Sequence, residues 1–467
     1  MGASWQQLRD QMHERTPNDI VRNFRAQFPD ITHIDALVCD MCGVLRGKKV
    51  PVTALEKIFR DGLTFPGSLF ATDITGETVE ETGLGFADGD ADRDCFPVPH
   101  TLDPVPWLSR PTGQVLLAMQ DLDGSPFFAD PRTVLANVVQ RLRDDGLHPV
   151  VAVELEFYLV DRKRGEDGRP RPPVSPISGK RQDTTQVYGI DELYDFNDLL
   201  HEIYDTCVAQ GIPVDSLVSE YAPGQYEINL RHVDDPLEAC DDAVLFKRVV
   251  KSVAAKHGVE ATFMAKPYPD QAGSGFHIHM SLLDAAGASL FAAEDPHGTP
   301  MLRHAIGGLG ATMAEGMAVF AQNQNAFRRF QPNSYVPHAP TWAANNRSVS
   351  LRIPPGKPKD RRVEHRVAGA DSNPYLVVAA VLAGAHHGIR RQIDPGPPIS
   401  GNAYDKIEPT LTSSWIVALE QLDGSAFFNE YFGRRFLDIY LALKWAERDK
   451  FFSQISQLEY DWYLSKV

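Results

Sequence analysis

Residues 150–161 read "VVAVELEFYLVD", an apolar run interrupted by Glu154 and Glu156. Side chains two apart in a strand share a face, so these carboxylates stand roughly 7 Å apart along the backbone, their heads converging. A buried carboxylate is costly unless it is protonated, paired or bound to a cation. Three further stretches add groups of the same kind. In "SEYAPGQYEINL", Glu220 and Glu227 flank a Pro-Gly turn that folds them back towards one point. In "KPYPDQAGSGFHIHMSLLD", His277 and His279 share one face of a strand entered through a Gly-rich turn. In "RVEHRVAGADSNPYL", Glu364 interrupts a strand-like segment between Arg362 and Arg366. Any one of these acids alone reads more simply as a solvated surface residue. Five glutamates and a histidine on separate strands instead suit hard divalent ions, magnesium or manganese. Two such ions beside Arg328, Arg329, Arg347, Arg352, Arg362 and Arg366 point to phosphoryl transfer, where metals and guanidinium forks stabilise the moving charge.

The chain that must position these groups has 467 residues, 43% hydrophobic and 23% charged, enough for ample core and two or more domains. Residues 5–28 read as amphipathic helix. Short segments broken by Gly and Pro follow to about residue 121, as in a small sheet-rich domain. "PRTVLANVVQRLRDDG" has helical spacing and opens a larger region of mixed strands and helices, while the charged, Pro-rich 161–184 stretch reads as a surface loop. Lys plus Arg number 46 against 62 Asp plus Glu, a net charge of -16, which disfavours a nucleic-acid partner. The opening residues lack the apolar core of a secretion signal, Gln6 fails a myristoylation motif, and "YLVVAAVLAGA" is about half the ~20 residues of a membrane span. A cytoplasmic protein with no membrane partner is expected. Five scattered cysteines make a disulfide scaffold improbable; Cys39 and Cys42 of "CDMC" read as buried cysteines on a strand-turn-strand unit.

The ordered series "VELEFYLVD", "EYAPGQYEINL", "KPYPDQAGSGFHIHMS", "NRSVSLRIP" and "RVEHRVAGADSNPYL" resembles the glutamine synthetase family, bacterial type I, over nearly the whole chain. The resemblance implies an α+β architecture: a helical segment over 1–28, a β-grasp domain over 29–122, and a catalytic domain over 123–467 whose antiparallel strands form half of an active-site funnel. It implies a homo-oligomer, a dodecamer with active sites between adjacent subunits. It assigns Glu156, Glu220 and Glu227 to one Mg or Mn ion and Glu154, His277 and Glu364 to another. His279 and Ser281 match nucleotide-contacting positions, with Arg347, Arg352 and Arg362 around the phosphates of the co-substrate ATP. Gly273, Arg329, Arg347 and Arg366 match contacts to L-glutamate, and the expected catalytic residues are Arg347, Arg366 and Glu220. The chemistry implied is activation of glutamate's side-chain carboxylate to an acyl phosphate, then attack by a nitrogen nucleophile.

The sequence departs from that pattern where the family binds ammonium. Pro66 of "FPGSLF" replaces the aspartate that helps bind and deprotonate ammonium, Tyr335 takes the place of the flap glutamate, and Ala272 replaces an asparagine before the Gly-rich turn. A pocket lined by Phe65, Pro66 and Tyr335 has lost two carboxylates and gained room for a larger, partly apolar nucleophile. "TFPGSLFATDITG", "FMAKPY" and "RFQPNSYVP" resemble the γ-glutamylpolyamine synthetase branch, so the expected amine is putrescine or another polyamine or alkylamine. An alkylammonium with a pKa near 10.4 must lose a proton before it attacks. Glu220 and Asp73 both stand open as the base. Tyr404, where adenylylated family members carry a tyrosine, is expected to be a surface loop residue. Three alternatives stay open: ammonium-using glutamine synthetase, ligase of monoamines or aromatic amines, and a non-catalytic homologue, the last disfavoured by six intact ligands.

Overall fold

The structure, a computed structural model, describes residues 16–467; the earlier part of the expected N-terminal helical segment lies outside the described residues. Helix Pro17–Gln27 carries the remainder. Its start shows a device used five times among the described residues: an oxygen-bearing N-cap followed by proline at the first helical position. Thr16, Asp130, Asp235, Thr299 and Asn373 each accept a hydrogen bond from the first turn, and Pro17, Pro131, Pro236, Pro300 and Pro374 supply the preset φ.

Two sheets organise the chain. The first comprises β1 (His33–Cys39), β2 (Leu45–Pro51), β3 (Leu63–Pro66), β4 (Asp92–Pro97), β5 (Asp103–Pro104) and β6 (Thr112–Met119). Its order is β2-β1-β6-β4-β3, with β1 and β6 parallel in the middle. The second comprises β7 (His148–Val160), β8 (Val214–Ser219), β9 (Gln225–Leu230), β10 (Glu260–Thr262), β11 (Phe276–Leu283), β12 (Trp342–Ala344), β13 (Leu351–Ile353) and β14 (Val363–His365). Its order is β12-β13-β14-β11-β7-β9-β8, antiparallel except for β12 with β13. This is the α+β class expected, a curled half-barrel sheet with flanking helices beside a smaller sheet.

Period-two alternation decides what each strand of the second sheet presents. On β7, Val151, Val153, Leu155 and Phe157 are at most 1% exposed and face the helices; Glu154 and Glu156 stand on the other side. On β11, Phe276, Ile278, Met280 and Leu282 are fully buried, leaving His277, His279 and Ser281 on the face of the acids. Helix Pro374–Arg391 backs the sheet and crosses helix Pro300–Thr312 so closely that a Cβ at Gly388 would sit 2.1 Å from the His304 carbonyl oxygen. One hydrophobic core runs through both sheets, so the acidic face rests on a rigid floor.

All five cysteines are free and buried, as the strand-turn-strand reading of "CDMC" requires. Residues 161–184 form an irregular, mostly exposed loop. Among the described residues no helix is long and apolar enough to cross a membrane.

Candidate active site

Cross-strand register gathers the acids. Glu156 lies opposite Glu227 on β9, Glu154 opposite His277 on β11, and Glu364 of β14 opposite both His279 and Arg352 of β13. Ligand atoms of Glu154, His277 and Glu364 all lie within 4.8 Å of one another, as do those of Glu156, Glu227 and His277. His277 therefore bridges two potential ion positions. Glu220, at the end of β8, belongs to neither triad, but the charge of Glu156 acts on it directly.

Each carboxylate is set differently by its surroundings. Burial opposes ionisation of Glu154, yet hydrogen bonds with His277 and His279 hold it far below the usual carboxylate range; His279 Nε2 lies 2.9 Å from Glu154 Oε1. Burial likewise opposes ionisation of Glu364, and the Arg366 guanidinium, then His279 and His277, bring it down to about 2. Arg352 Nη1 donates to Glu364 Oε2 at 2.8 Å and Arg366 to Oε1. Glu227 is pushed well up by burial and by Glu154, Glu156 and Glu220, and Glu220 up to about 7 by burial and Glu156. Among the described residues, none of Glu156, Glu220 or Glu227 makes an ion pair. Buried, unbalanced oxygen donors with one imidazole are the donor set of a hard divalent cation, so the residues fit the metal ions the sequence implies.

Gly275 is needed as glycine here. A Cβ would stand 2.9 Å from His277 Nε2 and 3.4 Å from Glu156 Oε1, inside the cradle. Its own N–H donates to Glu156 Oε2 at 2.8 Å and fixes that carboxylate. Two residues earlier, Gly273 lies against Arg329, where a Cβ would meet Cγ at 2.7 Å. Arg329 is 2% exposed and donates to the Val367 carbonyl at 3.0 Å, while its Nε has no partner among the described residues. Buried Nε groups of Arg352 and Arg366 are unpartnered as well, three guanidiniums around one acidic face with capacity to spare for anions. Arg362 Nε donates to His279 Nδ1 at 3.1 Å, which orients the imidazole, and Ser281 follows on the same face of β11.

Other candidate residues stand apart within the chain. Arg347 is exposed on the turn between β12 and β13, and Arg328 is exposed beside buried Arg329. Tyr335 is 63% exposed on the loop after Arg329, with φ of 56°. Phe65 and Pro66 belong to β3, an edge strand of the first sheet; Phe65 is 5% exposed, with Lys48 Nζ 4.5 Å over its ring. Asp73 caps a turn: Oδ1 accepts from Thr75 N and Glu77 N at 2.8 and 3.0 Å, and Oδ2 pairs with Lys450 at 3.1 Å. Burial raises its pKa, but the Glu77 and Thr75 hydrogen bonds win and hold it down, so Asp73 is a structural anion and not a free base. Tyr404, expected as a surface residue, is half-buried and donates to the Val336 carbonyl at 2.8 Å.

Sequence reasoning missed Gln225 and Asn229. Gln225 is 1% exposed; its Nε2 donates to Glu156 Oε2 at 3.2 Å and to the Gly273 carbonyl at 3.1 Å, tying one acid of the cluster to the Gly-rich turn. Asn229 hydrogen-bonds Glu227. Both flank Glu227 at two-residue spacing on β9, a signal that period-two reading offers once the strand is assigned.

Residues 128–463 match the family model described as the glutamine synthetase catalytic domain. The chain is 43% identical over 447 residues to γ-glutamylputrescine synthetase PuuA of Escherichia coli (strain K12), covering 96% of this chain and 94% of that protein. It is 34% identical over 416 residues to a glutamate–isopropylamine ligase of a Pseudomonas species, covering 87% and 89%. Among solved structures, "Apo GmaS without ligand" superimposes with a TM-score of 0.82 at 29% identity, covering 95% of this chain and 98% of that one. With the acidic strand face, the arginines around it and the matched model agreeing, the chain belongs to the glutamine synthetase family.

Proposed function

We propose that this chain is an ATP-dependent ligase that joins the γ-carboxylate of L-glutamate to putrescine, or another primary polyamine or alkylamine, through γ-glutamyl phosphate, releasing ADP and phosphate. The observation that carries the reading is the split character of the site. The strand-borne acids and arginines that serve ATP and glutamate in the family are gathered on one face, while Pro66 and Tyr335 stand where the family handles ammonium. Identity to a γ-glutamylputrescine synthetase and a glutamate–isopropylamine ligase supports an amine in that half.

Glu156, Glu220 and Glu227 would hold one magnesium or manganese ion and Glu154, His277 and Glu364 a second. When bound, the ions offset the negative charge of ATP's phosphates and polarise the phosphoryl group. Arg352 and Arg362, reached from β13 and β14, face the phosphates with His279 and Ser281 at the nucleotide side. Arg329, Arg366 and the Gly273 amide orient glutamate so that its γ-carboxylate oxygen attacks in line. Arg347 swings in from its exposed turn onto the transferring phosphoryl group. Glu220, at the edge of the Glu156–Glu227 pair whose charge acts on it, would also be the candidate to take the amine's proton as nitrogen attacks the acyl phosphate and phosphate leaves.

Assembly completes the site in this reading. Helix Gln457–Tyr463 has no buried residue among the described residues, and Phe451, Phe452, Ile455, Leu458, Trp462 and Leu464 are at least half exposed. Such an apolar terminal segment needs a partner surface. A second copy of the chain supplies it, in a homododecamer whose β3 edge, with Phe65 and Pro66, closes the amine pocket of the adjacent subunit.

The test is phosphate release with glutamate, ATP and a panel of monoamines, diamines, polyamines, aniline and ammonium chloride. Turnover that depends on an alkylamine and is negligible with ammonium supports the proposal. Rapid glutamine formation from ammonium overturns it in favour of an ordinary glutamine synthetase.

A further inference from the structure

The loop after Arg329, residues 330–341, bears Tyr335 and has two non-glycine residues in the left-handed region, Asn333 at φ 58° and Tyr335 at φ 56°. Such backbone is held only where neighbours over-determine it. Inside the loop, Ser334 Oγ donates to the Gln331 carbonyl at 2.6 Å. At its far end Ser350 holds Ala339 and Thr341, and the restraint on its middle comes from residues 401–411, far along the chain. Tyr404 Oη donates to the Val336 carbonyl at 2.8 Å, and its ring packs edge-on against His338 at 4.7 Å. His338 returns the contact: Nε2 lies 3.0 Å from the Ile407 carbonyl, and its own carbonyl accepts from Thr410 N and Leu411 N, each at 2.9 Å.

The same short segment grips the Arg347 turn. Asn346 Nδ2 donates to the Gly401 carbonyl at 2.8 Å, and Ala403 N donates to Ser348 Oγ at 3.0 Å, so both neighbours of Arg347 are fixed to it. Tyr404, Ala403 and Ile407 close round a small void with His338, Ala339 and Ser348. Tyr404 is half-buried at the centre of this arrangement, and the charge of Arg366 reaches its hydroxyl.

The geometry points to Tyr404 as a positioning residue that latches the Tyr335 loop to the Arg347 turn, so that the two exposed parts of the site move as one piece. It touches neither substrate nor reacting atoms; it acts through Val336 and His338. The inference rests on the amine-ligase reading, because it assigns the latched loop to the amine step. With the latch fastened, the loop closes over γ-glutamyl phosphate and admits the amine while excluding water. Unlatched, water reaches the acyl phosphate, adds to the γ-carbonyl carbon and displaces phosphate, regenerating glutamate without an amide.

Tyr404→Phe removes only the hydroxyl. The expected result is an amine KM raised about tenfold, with KM for ATP and glutamate within about twofold, as loss of one well-made hydrogen bond in a closing loop gives. Phosphate released per amide formed should rise above one, and amide hydrogens of residues 333–336 should exchange faster. Ser334→Ala, which removes the hydroxyl that bonds the Gln331 carbonyl and meets the Tyr404 side chain, should reproduce the uncoupling. A uniform fall in every kinetic parameter with stoichiometry held at one, or unchanged kinetics in both variants, overturns the latch. Wild-type enzyme that releases no phosphate on addition of amines overturns the amine reading itself, a separate result seen before any variant is made.

Discussion

Two of the buried charge clusters among the described residues are balanced in opposite ways. Around Asp241 one carboxylate is surrounded by donors: Arg132 binds both oxygens at 3.0 and 2.9 Å, the Tyr375 hydroxyl donates at 2.6 Å, and His100 Nε2 lies 3.3 Å away. Burial works against ionisation there, but Arg132 and His100 outweigh it and hold Asp241 far below the usual range. On the second sheet five carboxylates share a face with two histidines and two close arginines, and three of the five have no ionic partner among the described residues. The first cluster is complete as folded and pins helices to one another. The second stays electrostatically incomplete until cations arrive. Burial alone does not mark a functional site; burial with charge left over does.

Removing one acid from each cluster should separate them most sharply. Glu227→Ala deletes a repelled carboxylate and a proposed ligand, so amine-dependent phosphate release should fall by roughly a thousandfold or more, while the metal-free protein gains about 1–2 kcal/mol. Asp241→Asn strands buried Arg132 and should cost about 3–5 kcal/mol of stability, with activity following only the folded fraction. Urea melts in EDTA and initial rates read both. Unchanged turnover in Glu227→Ala would remove that residue from the site.

Divalent ions should act on one cluster alone. Manganese or magnesium at about a hundred times its Kd stabilises a protein by about 2.7 kcal/mol per site when it binds only the folded state. That gain should appear in wild type and in Asp241→Asn, and shrink in Glu227→Ala. Equal gains in all three proteins would place the ions elsewhere.

The pH dependence should have opposite signs. Glu220 and Glu227 have folded-state pKa values raised above the unfolded carboxylate, so the folded protein holds extra protons, and without metal its stability should fall as pH rises from about 4.5 through Glu220's value of about 7. Asp241 is depressed; its contribution is present above the unfolded value near 4 and is lost as pH falls towards the folded one. Melts from pH 3.5 to 8 in EDTA should therefore pass through a maximum on the acid side of neutrality. Added manganese should flatten the alkaline limb only.

The contrast between clusters also explains what the sequence disclosed. Strand alternation made the acids stand out: Glu154, Glu156 and Glu364 sit in apolar runs whose neighbours can only face the core, so their shared exposure to one surface was legible before any coordinates. The ordered motifs disclosed the fold as well. Contacts at long sequence separation stayed hidden. Gln225 meets Glu156 across 69 positions, and Tyr404 meets Val336 across 68; period two puts Gln225 on the face of Glu227, but which partner each residue meets depends on register and loop path. Asp73 stayed open as a base and Tyr404 was expected at the surface for the same reason, since a turn's internal hydrogen bonds and a loop's far partner decide whether a polar group is free. Phe65 stands in a motif that aligns with the ammonium side of the family, yet its ring is core in its own chain. Pro66 beside it stays partly exposed on the β3 edge.

The smallest effect expected is at Tyr335, and it tests whether the loop half of the site chooses the nucleophile without supplying chemistry. The ring is 63% exposed, so its removal costs the fold little. Tyr335→Ala keeps the left-handed backbone that a side-chain residue tolerates poorly; Tyr335→Gly removes the ring and relaxes that conformation as well. If the ring itself contacts the alkyl chain, both variants should raise the putrescine KM by about three- to tenfold and leave KM for ATP and glutamate in place, the size expected for losing one apolar or cation–π contact. If backbone shape is what matters, only glycine should change the KM. An amine KM indifferent to both substitutions would move amine recognition off the loop and onto the subunit edge that faces it.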